Sequence, residues 1–275
     1  MMPKVSVYIP CYNAKQYIEK CLQAILKQSY PFDQIVVIND CSDDGSAETI
    51  SKFPVIIINN EINKGLSATR NIALKEARND FVASIDADCI IDRDWLQECM
   101  KNFNNPKVAA VGGKLIEANN DNIIDFWRQA HLRHDWGKKK QINPIFLSGS
   151  NIILRKNAVE QIDGYDEKRY SNNYEDVDLS LRLKKNGFDL IYEPAALARH
   201  MRKDTIVSVL KAYWRWKYHD YKQKYILRPI FNLVNSIKLI FEDVVNKNFN
   251  LIFIDILVFM ACLYFDLRNF LRRSL

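Results

Sequence analysis

Two acidic motifs carry oxygens at spacings that could do chemistry. In Ser84-Ile85-Asp86-Ala87-Asp88 the two aspartates alternate at the end of an apolar run, so a strand there points both carboxylates the same way. Two carboxylates on a strand edge suit a hard divalent cation, Mg²⁺ or Mn²⁺, that keeps waters and shares phosphate oxygens. Their bland alternative is a helix N-cap, a role that Asp92 and Asp94 can fill without them. The second motif is Glu175-Asp176-Val177-Asp178, which opens a helical run. Residues two apart on a helix diverge by about 200°, so Asp176 and Asp178 cannot serve one site. One carboxylate can act as a base while another takes a cap or an arginine such as Arg182; alternatively, all three acids simply favour the positive end of the helix dipole.

The elements that must position these acids alternate in type. Apolar, β-branched runs at 5–9, 35–38, 55–58 and 81–85 read as strands. Between and after them, residues 17–26, 67–78 and 95–100 have helical spacing. Strands alternating with such helices give a mostly parallel sheet covered on both faces, which binds ligands beyond the carboxyl ends of its strands. The polar runs fall there: Pro10-Cys11-Tyr12-Asn13, residues 39–46, residues 59–65 with Lys64-Gly65, and Asp86-Ala87-Asp88. Any one could be a plain turn; four at one edge imply a shared pocket. Further on, residues 108–114 and 190–192 read as strands, and 146–154 as a strand interrupted by Ser148-Gly149-Ser150. Residues 123–136 and 175–186 read as helices, and everything from about 204 onward is helical in pattern.

Composition bounds the rest. A chain of 275 residues with 48% apolar and 26% charged residues buries a real core, which excludes disordered and low-complexity classes. The expected division is a domain over 1–203 and a helical segment over 204–275. The six cysteines lack CxxC spacing and the N-terminal stretch lacks a long apolar run, which points to reduced thiols in the cytoplasm. No G-x-G-x-x-G or G-x-x-x-x-G-K-[ST] is present, so neither a dinucleotide fold nor a P-loop is supported, and Ser148-Gly149-Ser150 lacks a G-x-S-x-G elbow.

The motifs V-S-V-Y-I-P-C-Y-N, V-V-I-N-D-C-S-D-D-G-S, N-K-G-L-S-A-T-R-N, S-I-D-A-D and Y-E-D-V-D-L-S-L-R-L together resemble glycosyltransferase family 2, over residues 4 to about 200. The resemblance implies a GT-A fold, a Rossmann-like, mostly parallel mixed sheet flanked by helices, and inversion at the anomeric centre. It implies that Tyr12 and Asp40 hold the nucleotide base, together with the strand end at Pro10; an aromatic ring and an acceptor for an imide N–H suit UDP or dTDP. By the same resemblance Arg70, with Lys64 nearby, lies by the base and phosphates. Asp86 lies near the ribose and the metal shell, Asp88 is the direct ligand of Mn²⁺ or Mg²⁺, and His200 completes the metal or pyrophosphate contacts. Asp176 is the implied base, with Glu175, Ser148 and Gly149 on the acceptor side. Where many relatives carry two acids, this chain has Asn39-Asp40. The processive Q-x-x-R-W motif is only partial, since Ala212 precedes Tyr213-Trp214-Arg215-Trp216, which favours transfer of a single sugar.

The tail indicates where this would happen. Residues 1–200 carry 26 basic and 27 acidic side chains, but residues 201–275 carry 13 and 6. Lysines and arginines interleave with Tyr213, Trp214, Trp216, Tyr218, Tyr221 and Tyr225, a mixture that suits a bilayer interface or single-stranded nucleic acid. The apolar segments that follow choose the membrane: residues 230–245 have one apolar helical face, and 14 of residues 251–265 are apolar. Asp255 makes a full span costly, so a helix lying in the cytoplasmic interface is expected, with Arg268, Arg272 and Arg273 near the headgroups and a packing helix as the alternative. The acceptor expected is a lipid-linked or cell-surface glycan. His131-x-x-His134 has metal-ligand spacing but no evident third ligand, and reads as the polar face of an acceptor-side helix; His219 reads as surface. The rival functions are a sugar nucleotidyltransferase, which would need a G-x-G-x-R-type loop after the first strand, and a non-catalytic membrane or nucleic-acid adaptor on a decayed fold.

Overall fold

The structure is a computed structural model describing residues 3–118, 122–132, 135–220 and 227–274, with side chains 218–220 and 270–274 outside the description. His134, His219, Tyr218, Tyr221, Tyr225, Arg272 and Arg273 therefore lie outside the described residues or side chains. The chain divides into two compact units, Met1–Ala118 with His134–Arg202, and Asn119–Arg133 with Lys203–Leu275. The helix near 123–131 thus groups with the C-terminal helices, whereas its position in the sequence had assigned it to the first domain.

The first unit is the expected α/β sandwich. Its strands are β1 (Val5–Cys11), β2 (Gln34–Asn39), β3 (Ile56–Asn59), β4 (Phe81–Ile85), β5 (Cys89–Ile91), β6 (Val108–Glu117), β7 (Gln141–Ile142), β8 (Asn151–Arg155) and β9 (Asp189–His200). They form one mixed sheet in the order β3-β2-β1-β4-β8-β6-β9-β5, with β7 on β9. The β3-β2-β1-β4 half is parallel and β8 runs against both β4 and β6. Every residue of β1 is buried, as a central strand covered on both faces requires. Val5, Val7 and Ile9 point to one layer, with Ile18, Leu22 and Ile25 of α1 (Lys15–Leu26). Tyr8 points to the other, with Ala73 and Leu74 of α3 (Leu66–Glu76). Register pairs Cys11 with Asn39 and Asn39 with Asn59, so the carboxyl ends of three strands finish level.

Several elements depart from the sequence reading. β9 runs to twelve residues instead of three, crossing Pro194 by a register shift opposite Gly113 and Lys114. β5 and the short helices α2 (Ser46–Ile50) and α6 (Lys156–Glu160) were not foreseen, and β8 starts only after the 148–150 interruption. Asp94 holds the N-cap position of α4 (Trp95–Met100) without a side-chain hydrogen bond, and Asp92 pairs with Arg199, so neither caps as expected.

The second unit comprises α5 (Ile123–His131), α8 (Ile206–Asp220), α9 (Arg228–Val245) and α10 (Ile252–Ser274); α7 (Glu175–Lys185) belongs to the first. Its apolar core gathers Trp127, Val209, Tyr213, Leu239, Ile254 and Val258. Tyr213 is buried there and the Trp214 indole donates to Asp266 at 2.9 Å, so these two rings hold the unit together and are not free for a bilayer. Helix α9 is inverted: its buried positions are Arg228, Asn232, Ser236, Leu239 and Asp243, while Leu233, Val234, Ile237 and Phe241 face outward.

Candidate active site

The loops at the carboxyl edge are tied to one another through backbone amides. Asp40, buried at the end of β2, accepts from Asn60 Nδ2 at 2.7 Å, from the Lys64 amide at 2.9 Å and from the Gly65 amide at 3.0 Å. Three of its roughly four acceptor positions are therefore spent on shaping the 60–65 loop, leaving about one for a ligand. Gly65 sits at φ +85°, and a Cβ there would lie 3.2 Å from the Ser171 carbonyl, so this turn and the 170–172 loop touch closely. The Ser67 amide donates to the same carbonyl at 3.0 Å, and the Leu66 amide to Asn172 Oδ1 at 3.0 Å. The loop after β1 is fastened likewise, with the Asn13 amide donating to Ser42 Oγ and the Lys15 amide to Asp44. Tyr12, at its head, is 55% exposed and can present a ring face to a ligand. Pro10 is buried as a strand residue opposite Ile38, and the Lys64 side chain is exposed.

Arg70 is the hub. It projects from α3, is 1% exposed, and contacts Asp86 Oδ1 at 3.1 Å and Glu175 Oε1 at 3.2 Å. Its guanidinium carbon lies 5.5 Å from the Tyr165 ring centre, a cation–π contact. A Cβ on Gly149 would approach Arg70 Nη1 to 1.8 Å, so the bare backbone at 149 is what lets the arginine reach between the two acids. Gly149 is also bonded at both ends, its carbonyl accepting from Ser84 Oγ at 2.6 Å and its amide donating to Asp176 Oδ2 at 3.1 Å. Ser148 and Ser150 bond each other through their hydroxyls at 2.8 Å.

The two aspartates after β4 have different surroundings. Burial and the neighbouring Asp88 carboxylate push Asp86 above the ordinary carboxylate range, with Arg70 opposing. For Asp88, burial also acts upward, but His200, 3.3 Å away through Nε2, and Arg202 outweigh it and hold the acid at about 2. The other imidazole nitrogen of His200 is 3.3 Å from Glu117 Oε2, a partner that fixes the ring. Asp88 and His200 thus converge from the ends of two elements, as β5–β9 pairing sets Cys89 opposite His200. An ionised carboxylate beside an imidazole, with Asp86 next to it, is a donor set that fits Mn²⁺ or Mg²⁺.

At the start of α7, Tyr174 takes a left-handed φ of +73°, unusual for a residue with a Cβ, and the chain turns there into Glu175 and Asp176. Glu175 is buried against Arg70; desolvation pushes its carboxyl up to about 7, Arg70 opposing and Asp176 adding. Asp176 is partly exposed, accepting from Gly149 and from its neighbour Val177 at 2.8 Å. Asp178 diverges, as helix geometry demands, to Arg182 at 2.6 Å. Glu117 and Tyr165 had no motif to mark them; each is found only through the long-range pairing that brings it to His200 or Arg70.

The one three-ligand metal grouping among the described residues lies elsewhere, in the helical unit, at His131, Asp243 and Asp255. His131 is buried beside Asp243, so it packs inside the helical unit and does not present the polar helix face expected of it.

Three comparisons bear on this arrangement. The family profile described as glycosyl transferase family 2 matches residues 6–163. The poly-beta-1,6-N-acetyl-D-glucosamine synthase of Staphylococcus epidermidis is 28% identical over 245 residues, covering 86% of this chain and 58% of that protein. Its counterpart in Staphylococcus aureus strain COL is 26% identical over 257 residues, 88% of this chain and 61% of the relative. The chain thus spans about three fifths of the curated relatives it matches. Among solved structures, S. aureus TarS 1–349 in complex with UDP aligns with a TM-score of 0.59 at 21% identity, over 77% of this chain and 64% of the other. The mannosyltransferase PcManGT of Pyrobaculum calidifontis, in complex with GDP-Man and Mn²⁺, aligns at 0.60 and 21%, over 81% and 64%. These likenesses carry the GT-A fold. With the profile covering more than half its length, the chain belongs to glycosyl transferase family 2.

Proposed function

We propose that this chain is an inverting glycosyltransferase that moves one sugar from a nucleoside-diphosphate sugar, UDP or dTDP, to a hydroxyl of a lipid-linked or cell-surface glycan. The observation that carries this reading is Arg70, whose guanidinium reaches Asp86 and Glu175 at once, joining the strand-edge acids to the helix that bears Asp176. As the acceptor oxygen bonds to C1, the C1–O bond to the diphosphate breaks with its electron pair, and Asp176 takes the hydroxyl proton. The amide of Gly149 orients that carboxylate, and Arg70 and Lys64 would supply positive charge against the leaving diphosphate. Asp88, His200 and Asp86 would hold a Mn²⁺ or Mg²⁺ ion, which when bound supplies further charge for the departing phosphates. Tyr12 offers the base a ring face and Asp40 its remaining acceptor position.

The rival functions find less support. From the end of β1 the chain reads Cys11-Tyr12-Asn13, without the glycines of a nucleotidyltransferase loop, and both acidic motifs are intact, unlike a decayed adaptor. Melting curves of the full chain with a panel of UDP-, dTDP- and GDP-sugars, with and without Mn²⁺, test the donor. A UDP- or dTDP-sugar is expected to raise Tm by several degrees, with the larger rise when Mn²⁺ is added. If no nucleotide sugar moves Tm under either condition, the proposal fails. A second reading, repeated addition, is favoured by the synthase names of the curated relatives; a product ladder in place of a single-sugar adduct would select it.

The protein would work at the cytoplasmic face of a membrane. All six cysteines are free, in keeping with a reducing compartment. Phe241 of α9 is 67% exposed and Phe253 of α10 66%, and Phe249–Asn269 is long and apolar enough to cross a membrane by length and composition. Burying the polar face of α9 while turning the apolar one outward is what an apolar solvent on that side would stabilise. Phe241→Asp combined with Phe253→Asp should cut flotation with anionic vesicles by about tenfold or more, since each charge opposes burial of a large ring. Undiminished flotation would overturn the interfacial assignment.

A further inference from the structure

The interior of the helical unit contains chemistry that sugar transfer does not use. His131 ends α5, Asp243 lies in the last turn of α9 and Asp255 in the first turn of α10. Their side chains are almost fully buried. The His131 Nε2 atom is 2.9 Å from Asp243 Oδ2 and 3.9 Å from Asp255 Oδ1, and one ligand atom from each residue falls within 4.8 Å of the other two. Around them stand outer partners: Trp127 Nε1 donates to Asp255 Oδ1 at 2.7 Å, Asn248 Nδ2 to Asp243 Oδ1 at 3.4 Å, and Glu242 Oε2 is 3.9 Å from His131 Nδ1. Asp255 Oδ2 is buried without a hydrogen-bond partner, and so is His131 Nδ1.

The charge balance identifies what is missing. Among the described residues no lysine or arginine is paired with Asp243 or Asp255; the nearby Arg128 is paired instead with Asp125 and Asp204. Two buried carboxylates facing one imidazole leave negative charge uncompensated even if the imidazole is protonated, a costly arrangement in a low-dielectric interior. One divalent cation coordinated by both carboxylates and the neutral ring would make the cluster electrically neutral and give Asp255 Oδ2 a positive neighbour. One nitrogen and two carboxylate donors suit zinc and its transition-metal neighbours, and the indole stands where a partner of a coordinating carboxylate stands. We infer that His131, Asp243 and Asp255 form a structural divalent-metal site of the zinc class, fastening the ends of α5, α9 and α10. The ligands are 112 and 12 residues apart in sequence, so the ion would close the unit across its longest connection.

The test uses the full chain, stripped with chelator and titrated with Co²⁺ and then Zn²⁺. The expected result is the visible absorption of a low-coordinate Co²⁺ site, bleached by Zn²⁺, with a Tm rise of several degrees on zinc addition. Asp88→Asn, which disables the proposed donor-side ion, should keep both signals. Asp255→Asn should lose them; it retains an acceptor for Trp127, and Asp243→Asn serves if it does not fold. Absorption that persists in both of these variants, or vanishes in Asp88→Asn, overturns the assignment. So does a parent chain in which neither metal moves the spectrum or Tm, the outcome if Asp243 and Asp255 share a proton instead of an ion.

Discussion

Asp176→Asn should bind a nucleotide sugar as tightly as the parent chain and transfer its sugar about 10²–10⁴-fold more slowly, the range typical for loss of a general base. The separation follows from where the residue sits. Its carboxylate touches the Gly149 amide and its own helix, while Tyr12, Asp40 and Arg70, the groups proposed to meet the nucleotide, make no bond to it. An asparagine keeps an oxygen for one of those two amides, so the loop at 148–150 should hold, but it cannot accept the acceptor's proton. Donor titration by calorimetry beside initial transfer rates separates the two effects. Glu175→Gln is the control. That carboxyl is turned inward to Arg70 and is 5% exposed, so its substitution should cost less than tenfold in rate if Asp176 is the base. If Asp176→Asn transfers within tenfold of the parent while Glu175→Gln does not, the base is Glu175 instead.

What could be read from the residues alone divides by range. The strand–helix alternation is local, and four strand ends predicted from apolar runs do finish at one edge. The divergence of Asp176 and Asp178 follows from helix geometry, and Arg182, four residues on, is indeed the partner of Asp178. The family resemblance singled out Arg70, but not that it would touch Asp86 and Glu175 together, since those contacts span 16 and 105 residues. Glu117 and His200 meet because β6 and β9 run parallel across an 83-residue separation with no motif on the glutamate. β9 looked short because Pro194 interrupts the apolar pattern; its two flanks are paired with β6 through a bulge. In the helical unit the apolar run at 251–265 was plain, but Asp255 within it was read only as a cost of spanning. Its partners, His131 and Trp127, come from a helix more than a hundred residues earlier, which no local period discloses.

Arg70→Met should be the most destabilising single substitution at the site. Removing one partner from a buried ionic cluster leaves the others unpaired, at a cost of about 3–5 kcal/mol, which corresponds to a fall in Tm on the order of 10 °C for a unit of this size. Methionine fills much of the volume, so packing against Tyr165 changes less than charge does. Gly149→Ala should reproduce much of the defect without touching the charge, because its Cβ would sit 1.8 Å from Arg70 Nη1 and 2.7 Å from Cζ and must displace the guanidinium. The charge origin of the Arg70→Met defect is visible in its pH dependence. Glu175 already titrates near 7, above its ordinary value, because burial disfavours the carboxylate. A folded-state pKa raised in this way means that stability is fully present below the unfolded value and is lost as pH rises through the folded one. Without Arg70 the carboxyl shifts further upward, so the Tm gap between variant and parent should change little from pH 5 up to about pH 7 and widen above it, where the parent's Glu175 ionises more readily than the variant's. Adding Glu175→Gln to Arg70→Met removes the buried carboxylate and should close part of that gap at pH 8 while changing little at pH 5. Melting curves of the four chains across this range form a double-substitution cycle. A gap independent of pH, or no coupling between the two positions, would mean that Arg70 acts through packing and that the two acidic motifs are not linked through its charge.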